Sequence, residues 1–204
     1  MKKGFWILTV CIQIVSCGKM QEKLPILGNP AIEGNNLTYP KIRDFSFINQ
    51  NGHTVTNETF AGKIYIADFI FLSCPTICPK MNSELKKVYD AYKNNTEVLF
   101  LSHTIDPEND TVEHLKLYTD NYGIKNNWHF VTGNKDSIYK MAKDSYFATA
   151  YPDSSEPGGY VHSGGFLLID KNRHIRGVYD GTNQKETKRL IKDIKTLLEE
   201  NQSK

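Results

Sequence analysis

The run Lys63-Ile64-Tyr65-Ile66-Ala67-Asp68-Phe69-Ile70-Phe71 is almost continuously apolar and rich in β-branched and aromatic side chains. A strand with one face in water alternates polar and apolar residues, because successive side chains point to opposite faces. A run without that alternation belongs to a strand covered on both sides. Residues 97–105, Glu97-Val98-Leu99-Phe100-Leu101-Ser102-His103-Thr104-Ile105, repeat the pattern. The chain is therefore expected to build a layered α/β sheet.

Helical spacing follows each of these strands. Met81, Leu85, Val88, Tyr89 and Tyr92 recur on one face and predict a helix that starts near Cys78-Pro79 and ends around Lys93-Asn94-Asn95. Asp110 or Thr111 is placed to cap a helix carrying Leu115, Leu117 and Tyr118. Residues 128–132 form a third strand and residues 136–145 a third helix. Two apolar runs flank Lys171-Asn172-Arg173 and read as an antiparallel hairpin, closed by an amphipathic helix with Leu190, Ile191, Ile194, Leu197 and Leu198. Upstream, Asn51-Gly52 signals an N-terminal β-hairpin, because both residues tolerate positive φ. A βαβ half followed by a ββα half is the thioredoxin-like arrangement, with a mixed central sheet flanked by helices.

The first residues combine Lys2-Lys3 with an apolar run too short for a stable span of a bilayer about 30 Å thick. They read as an export signal over residues 1–16. Ile14-Val15-Ser16-Cys17 resembles a bacterial lipobox, so Cys17 is expected to carry a lipid that tethers the chain to a membrane of the cell envelope. Residues 17–40, with Pro25, Gly28, Pro30, Gly34 and Pro40, read as a flexible stalk, and residues 41–204 as one domain. Lys and Arg total 25 against 23 Asp and Glu, a balance that gives no support to nucleic-acid binding.

With Cys11 and Cys17 assigned to signal and anchor, Cys74 and Cys78 remain for the exported domain, in Ser73-Cys74-Pro75-Thr76-Ile77-Cys78-Pro79. Outside the reducing cytosol two thiols at this spacing can meet as a disulfide or as metal ligands. If the loop is helical they lie one turn apart, and a helix start favours thiolate over thiol. Two soft sulfurs suit Cu(I), and an added imidazole makes a site that also tolerates Cu(II). His162, which follows Gly158-Gly159 and precedes the strand at residues 165–170, is the candidate third ligand. Met81 and the remaining histidines, among them His103 and His129, read as packing or surface residues. A four-ligand structural zinc site is disfavoured, because such sites usually take four Cys or His ligands with the sulfurs often in C-x2-C pairs.

Four ordered segments carry a family resemblance: 71–79 around the cysteines, Thr104-Ile105-Asp106-Pro107-Glu108-Asn109-Asp110-Thr111, Trp128-His129-Phe130-Val131-Thr132-Gly133, and Val161-His162-Ser163 with Phe166-Leu167-Leu168-Ile169-Asp170. The chain resembles the Sco/SenC family. The resemblance implies one copper ion, as Cu(I) or Cu(II), on Cys74, Cys78 and His162, and a role in assembling the dinuclear copper centre of cytochrome c oxidase. Its partners are then the copper-bearing oxidase subunit, and other copper chaperones or thiol reductases. Asn109 stands where the family motif has arginine, and Val161 where many members place an acidic residue. The rival reading is a thiol–disulfide oxidoreductase using Cys74 and Cys78 as a redox pair on a partner's copper-site cysteines. A peroxide-scavenging thiol enzyme is a weaker third.

Overall fold

The structure is a computed structural model and describes residues 23–34, 36–125 and 127–202. Its strands are β1 (Ala31–Glu33), β2 (Asn36–Thr38), β3 (Ser46–Asn49), β4 (Thr54–Thr56), β5 (Ile64–Ile70), β6 (Val98–Thr104), β7 (Trp128–Thr132), β8 (Ala150–Pro152), β9 (Tyr160–His162), β10 (Gly165–Ile169) and β11 (Ile175–Asp180). The helices are α1 (Cys78–Tyr92), α2 (Val112–Asn121), α3 (Lys135–Asp144) and α4 (Gln184–Gln202).

Seven strands form one mixed sheet in the order β11-β10-β5-β6-β7-β3-β4. β5, β6 and β7 run parallel, and the flanking strands are antiparallel. Every residue of β5 is buried, as its unbroken apolar run requires. Helices flank the sheet, as the alternation of elements implies. Leu85 and Val88 of α1 and Leu190 and Ile194 of α4 have no exposed surface. The two helices are further tied by the Thr187 hydroxyl donating to Glu84 (2.8 Å) and the Tyr92 hydroxyl donating to the Ile191 carbonyl (2.8 Å). The hairpin expected at Asn51-Gly52 is β3–β4, an edge of the main sheet.

One expectation fails in its described part. Residues 23–40 are not a free stalk. Leu24 N–H donates to Glu200 (2.8 Å), Leu27 N–H donates to the Ile175 carbonyl (2.8 Å), and β1 pairs with β2 in a small ribbon. The cause is Arg176, nine-tenths buried between Asp170 (3.0 Å) and Glu200 (2.9 Å). A buried guanidinium needs acceptors for all its N–H groups. It takes the carbonyls of Pro25 (3.0 Å) and Leu24. The signal segment and Cys17 lie outside the described residues. No helix among the described residues is long and apolar enough to cross a membrane.

Candidate metal centre

The cysteine loop leaves the C-terminal end of β5 and turns back at once, with Cys74 N–H donating to the Phe71 carbonyl (3.2 Å). Helix α1 begins at Cys78, with Ile77 at its N-cap and Pro79 in the first turn, where its missing N–H costs nothing. Cys74 therefore stands outside the helix. The expected geometry of two sulfurs one helical turn apart does not form, because Pro75 disfavours helical backbone at the residue before it. The loop instead folds Cys74 back over the helix mouth.

His162 arrives from the other half of the chain on β9, paired with β8 in the register Ala150↔His162. Its Nε2 lies 3.3 Å from Cys78 Sγ. The ligand atoms of Cys74, Cys78 and His162 all fall within 4.8 Å of one another, and among the described residues this is the one cluster of its kind. The Phe71 ring meets the imidazole edge-on, with centroids 5.6 Å apart. Gly158 brings the β8–β9 loop down onto the cysteines. Its φ is +85°, and a Cβ there would stand 2.8 Å from the Phe71 ring and 3.0 Å from Pro75. A cleft lined by Cys74, Thr76, Ile77, Glu156, Tyr160 and His162 opens beside the sulfurs.

The two thiols have unequal surroundings. Burial pushes Cys74 up, but the N–H groups of Thr76 and Cys78 and the side chains of Cys78 and Thr76 outweigh it, and its pKa is lowered overall. Burial drives Cys78 well above the ordinary thiol range, and the neighbouring Cys74 and Asp68 charges add to the effect. Burial lowers His162, with backbone groups of Ser163 and Phe69 offsetting part of it, so the ring is neutral at pH 7 and keeps a lone pair. A neutral imidazole and a ready thiolate are the forms that bind metal. Filling the site must expel the proton of Cys78.

Asp68 is the residue that sequence reasoning missed. It lies wholly buried within β5, accepts from the Ser102 hydroxyl (2.5 Å), and leaves Oδ2 without a partner. Burial raises its pKa to about 7, against the Ser102 hydrogen bond. The available signal was a carboxylate inside a run that must be covered on both faces.

The other candidates are placed plainly. Met81 has no exposed surface and belongs to the core. His103 is a packed histidine among Phe47, Phe69 and Tyr146, with neither ring nitrogen hydrogen-bonded. His129 sits against Asn49 (3.2 Å). Thr111 caps α2, while Asp110 turns towards the cysteine loop and accepts from Leu72 N–H (3.1 Å).

The SCO1/SenC family model matches residues 34–199. The chain belongs to the SCO1/SenC family. Among solved members, a SCO1/SenC family lipoprotein from Bacillus anthracis is 30% identical, with a TM-score of 0.72 over 78% of this chain and 95% of that one. BsSco, described through a disulfide switch and as a member of the Sco family of cytochrome c oxidase assembly proteins, is 31% identical, with a TM-score of 0.69 over 78% and 93%. Copper-bound ScoI of Arabidopsis thaliana is 26% identical, with a TM-score of 0.62 over 75% and 97%. This SCO1/SenC member shares the thioredoxin-like fold of those structures.

Proposed function

We propose that this protein binds one copper ion through Cys74, Cys78 and His162 and passes it to the copper-bearing subunit of cytochrome c oxidase during assembly of the dinuclear centre. The observation that carries this reading is the convergence of two sulfurs and one imidazole within 4.8 Å. That donor set is soft enough for Cu(I) and, with the nitrogen, tolerates Cu(II). Copper in a relative's structure and the oxidase-assembly description of BsSco support it. Transfer proceeds by ligand exchange at the cleft, where Cys74 is the sulfur more easily held as thiolate. Upstream copper chaperones supply the ion, and thiol reductases keep the pair reduced. The lipobox at Cys17, and a relative described as a lipoprotein, support tethering to a membrane with the domain outside the cytoplasm.

Anaerobic copper titration of the reduced domain tests the reading. One equivalent is expected to bind, with Cys78→Ala weakening Cu(I) and Cu(II) alike and His162→Ala weakening Cu(II); an unchanged stoichiometry and affinity in both variants would sink the three-ligand site.

A second reading rests on the unequal thiols. Cys74 with a lowered pKa and a buried, protonated Cys78 is the pairing of an attacking and a resolving sulfur in thiol–disulfide exchange. Reduction of a partner's copper-site cysteines would then survive His162→Ala. Metal transfer would not.

A further inference from the structure

The loop between β6 and α2 carries two buried carboxylates, Asp106 and Asp110, and each reaches a different arm of the site. Asp110 holds the cysteine arm at Leu72 N–H. Asp106 holds the histidine arm: its Oδ1 accepts from the Tyr160 hydroxyl at 2.9 Å, and both of its oxygens accept from Asn109 Nδ2 at 3.1 and 2.9 Å. Tyr160 stands two residues before His162 on β9, so the two side chains share a face of the strand. The Phe71 ring touches both, with centroids 5.2 Å from Tyr160 and 5.6 Å from His162.

A ligating histidine is ordinarily oriented by a hydrogen bond at its other ring nitrogen. Here His162 Nδ1 is buried without a hydrogen bond of ordinary geometry, only the backbone groups of Ser163 and Phe69 lie near enough to act on the ring, and Val161 brings no carboxylate. The ring must be aimed by other means. We infer that Tyr160, anchored on Asp106, is a positioning residue that fixes the rotation of β9 and so points His162 Nε2 at the sulfur pair. The inference rests on the copper reading. Asn109 donates to both oxygens and so orients the Asp106 carboxylate, whose Oδ1 also accepts from the tyrosine.

Tyr160→Phe removes only the hydroxyl and is the test, read by Cu(II) competition titration, the thiolate-to-copper absorption band, Cu(I) affinity, and the ring-nitrogen NMR resonances of His162 in the metal-free full chain. Expected are a loss of Cu(II) affinity of about tenfold, the scale of outer-sphere changes, a shifted band, unchanged Cu(I) affinity, and moved His162 resonances. Asp106→Ala, which removes the acceptor, should do the same. The double variant should add little, because both changes break one bond. Wild-type Cu(II) affinity and band in both single variants overturn the inference, as does an equal loss of Cu(I) and Cu(II), which would mark general support of the fold. If the unaltered protein binds no copper, the copper reading fails by itself. His162 resonances that stay put in Tyr160→Phe then overturn the positioning role, and resonances that move sustain it.

Discussion

The cysteine arm and the histidine arm of the site are built to different standards. Cys78 opens a 15-residue helix packed on a fully buried strand, whereas His162 ends a three-residue strand whose residues are all half-buried and whose ribbon lies outside the main sheet. The sulfurs are thus fixed by the core of the molecule. The imidazole has fewer supports: the edge-on Phe71 ring and, two residues before it on the strand, the Tyr160–Asp106 bond. A metal-transfer site gains from this division, since one ligand can release while the other two hold.

Substitutions that load the two arms separately give the sharpest test of that division. The largest effect is expected for Cys78→Ser, which should abolish both Cu(I) and Cu(II) binding, while His162→Ala should spare Cu(I) and remove the Cu(II) complex. Equal losses in the two variants would break the comparison.

Next in size is Asp68→Asn, beneath the cysteine arm. A carboxyl whose folded pKa is raised to about 7 contributes stability below its unfolded value, and that contribution is lost as pH rises through 7. Chemical denaturation should therefore find the variant more stable than wild type at pH 8, by a few kcal/mol, roughly 1.4 per pKa unit. The gap should shrink as pH falls below 7 and close only near pH 4, the carboxyl's unfolded value. A gap that is constant with pH would place no ionisation on Asp68.

Asp110→Ala leaves the Leu72 N–H and the Thr104 hydroxyl without their acceptor and should cost about 2 kcal/mol. Faster hydrogen exchange at Leu72 should accompany it. Gly158→Ala acts on the other arm and should cost about 1–2 kcal/mol, from positive φ and the Phe71 contact. Its signature should be a weaker Cu(II) complex beside an unchanged Cu(I) one.

The contrast between the arms also governs what could be read from the chain. Buried strands announce themselves by composition, so β5, β6 and the cysteine loop between β5 and α1 were legible from residues 63–81 and 97–105, and the mixed, helix-flanked sheet followed from the alternation of elements. The partnership of His162 with the sulfurs came from fold logic, because nothing local to Tyr160-Val161-His162 marks it. The β8–β9 ribbon was not legible because its strands are three residues long and carry no alternating pattern, and the bond from Tyr160 to Asp106 and the turn of Asp110 away from its capping position were not, since each depends on a partner dozens of residues away. Asp68 was hidden by its company: one carboxylate in an apolar run reads as an interruption until its neighbours are known. The docking of Leu24 and Pro25 was missed for the same reason, because their prolines and glycines announce a linker while Arg176, which captures them, stands far downstream.

That capture sets the length of the leash. With a lipid on Cys17, as proposed, the seven residues from Cys17 to Leu24 reach at most about 25 Å, whereas a free segment running to Lys41 would reach about 80 Å. On that proposal Arg176 would set how far the docked segment lets the domain stand from the bilayer, a closed clasp shortening the tether to the residues before Leu24.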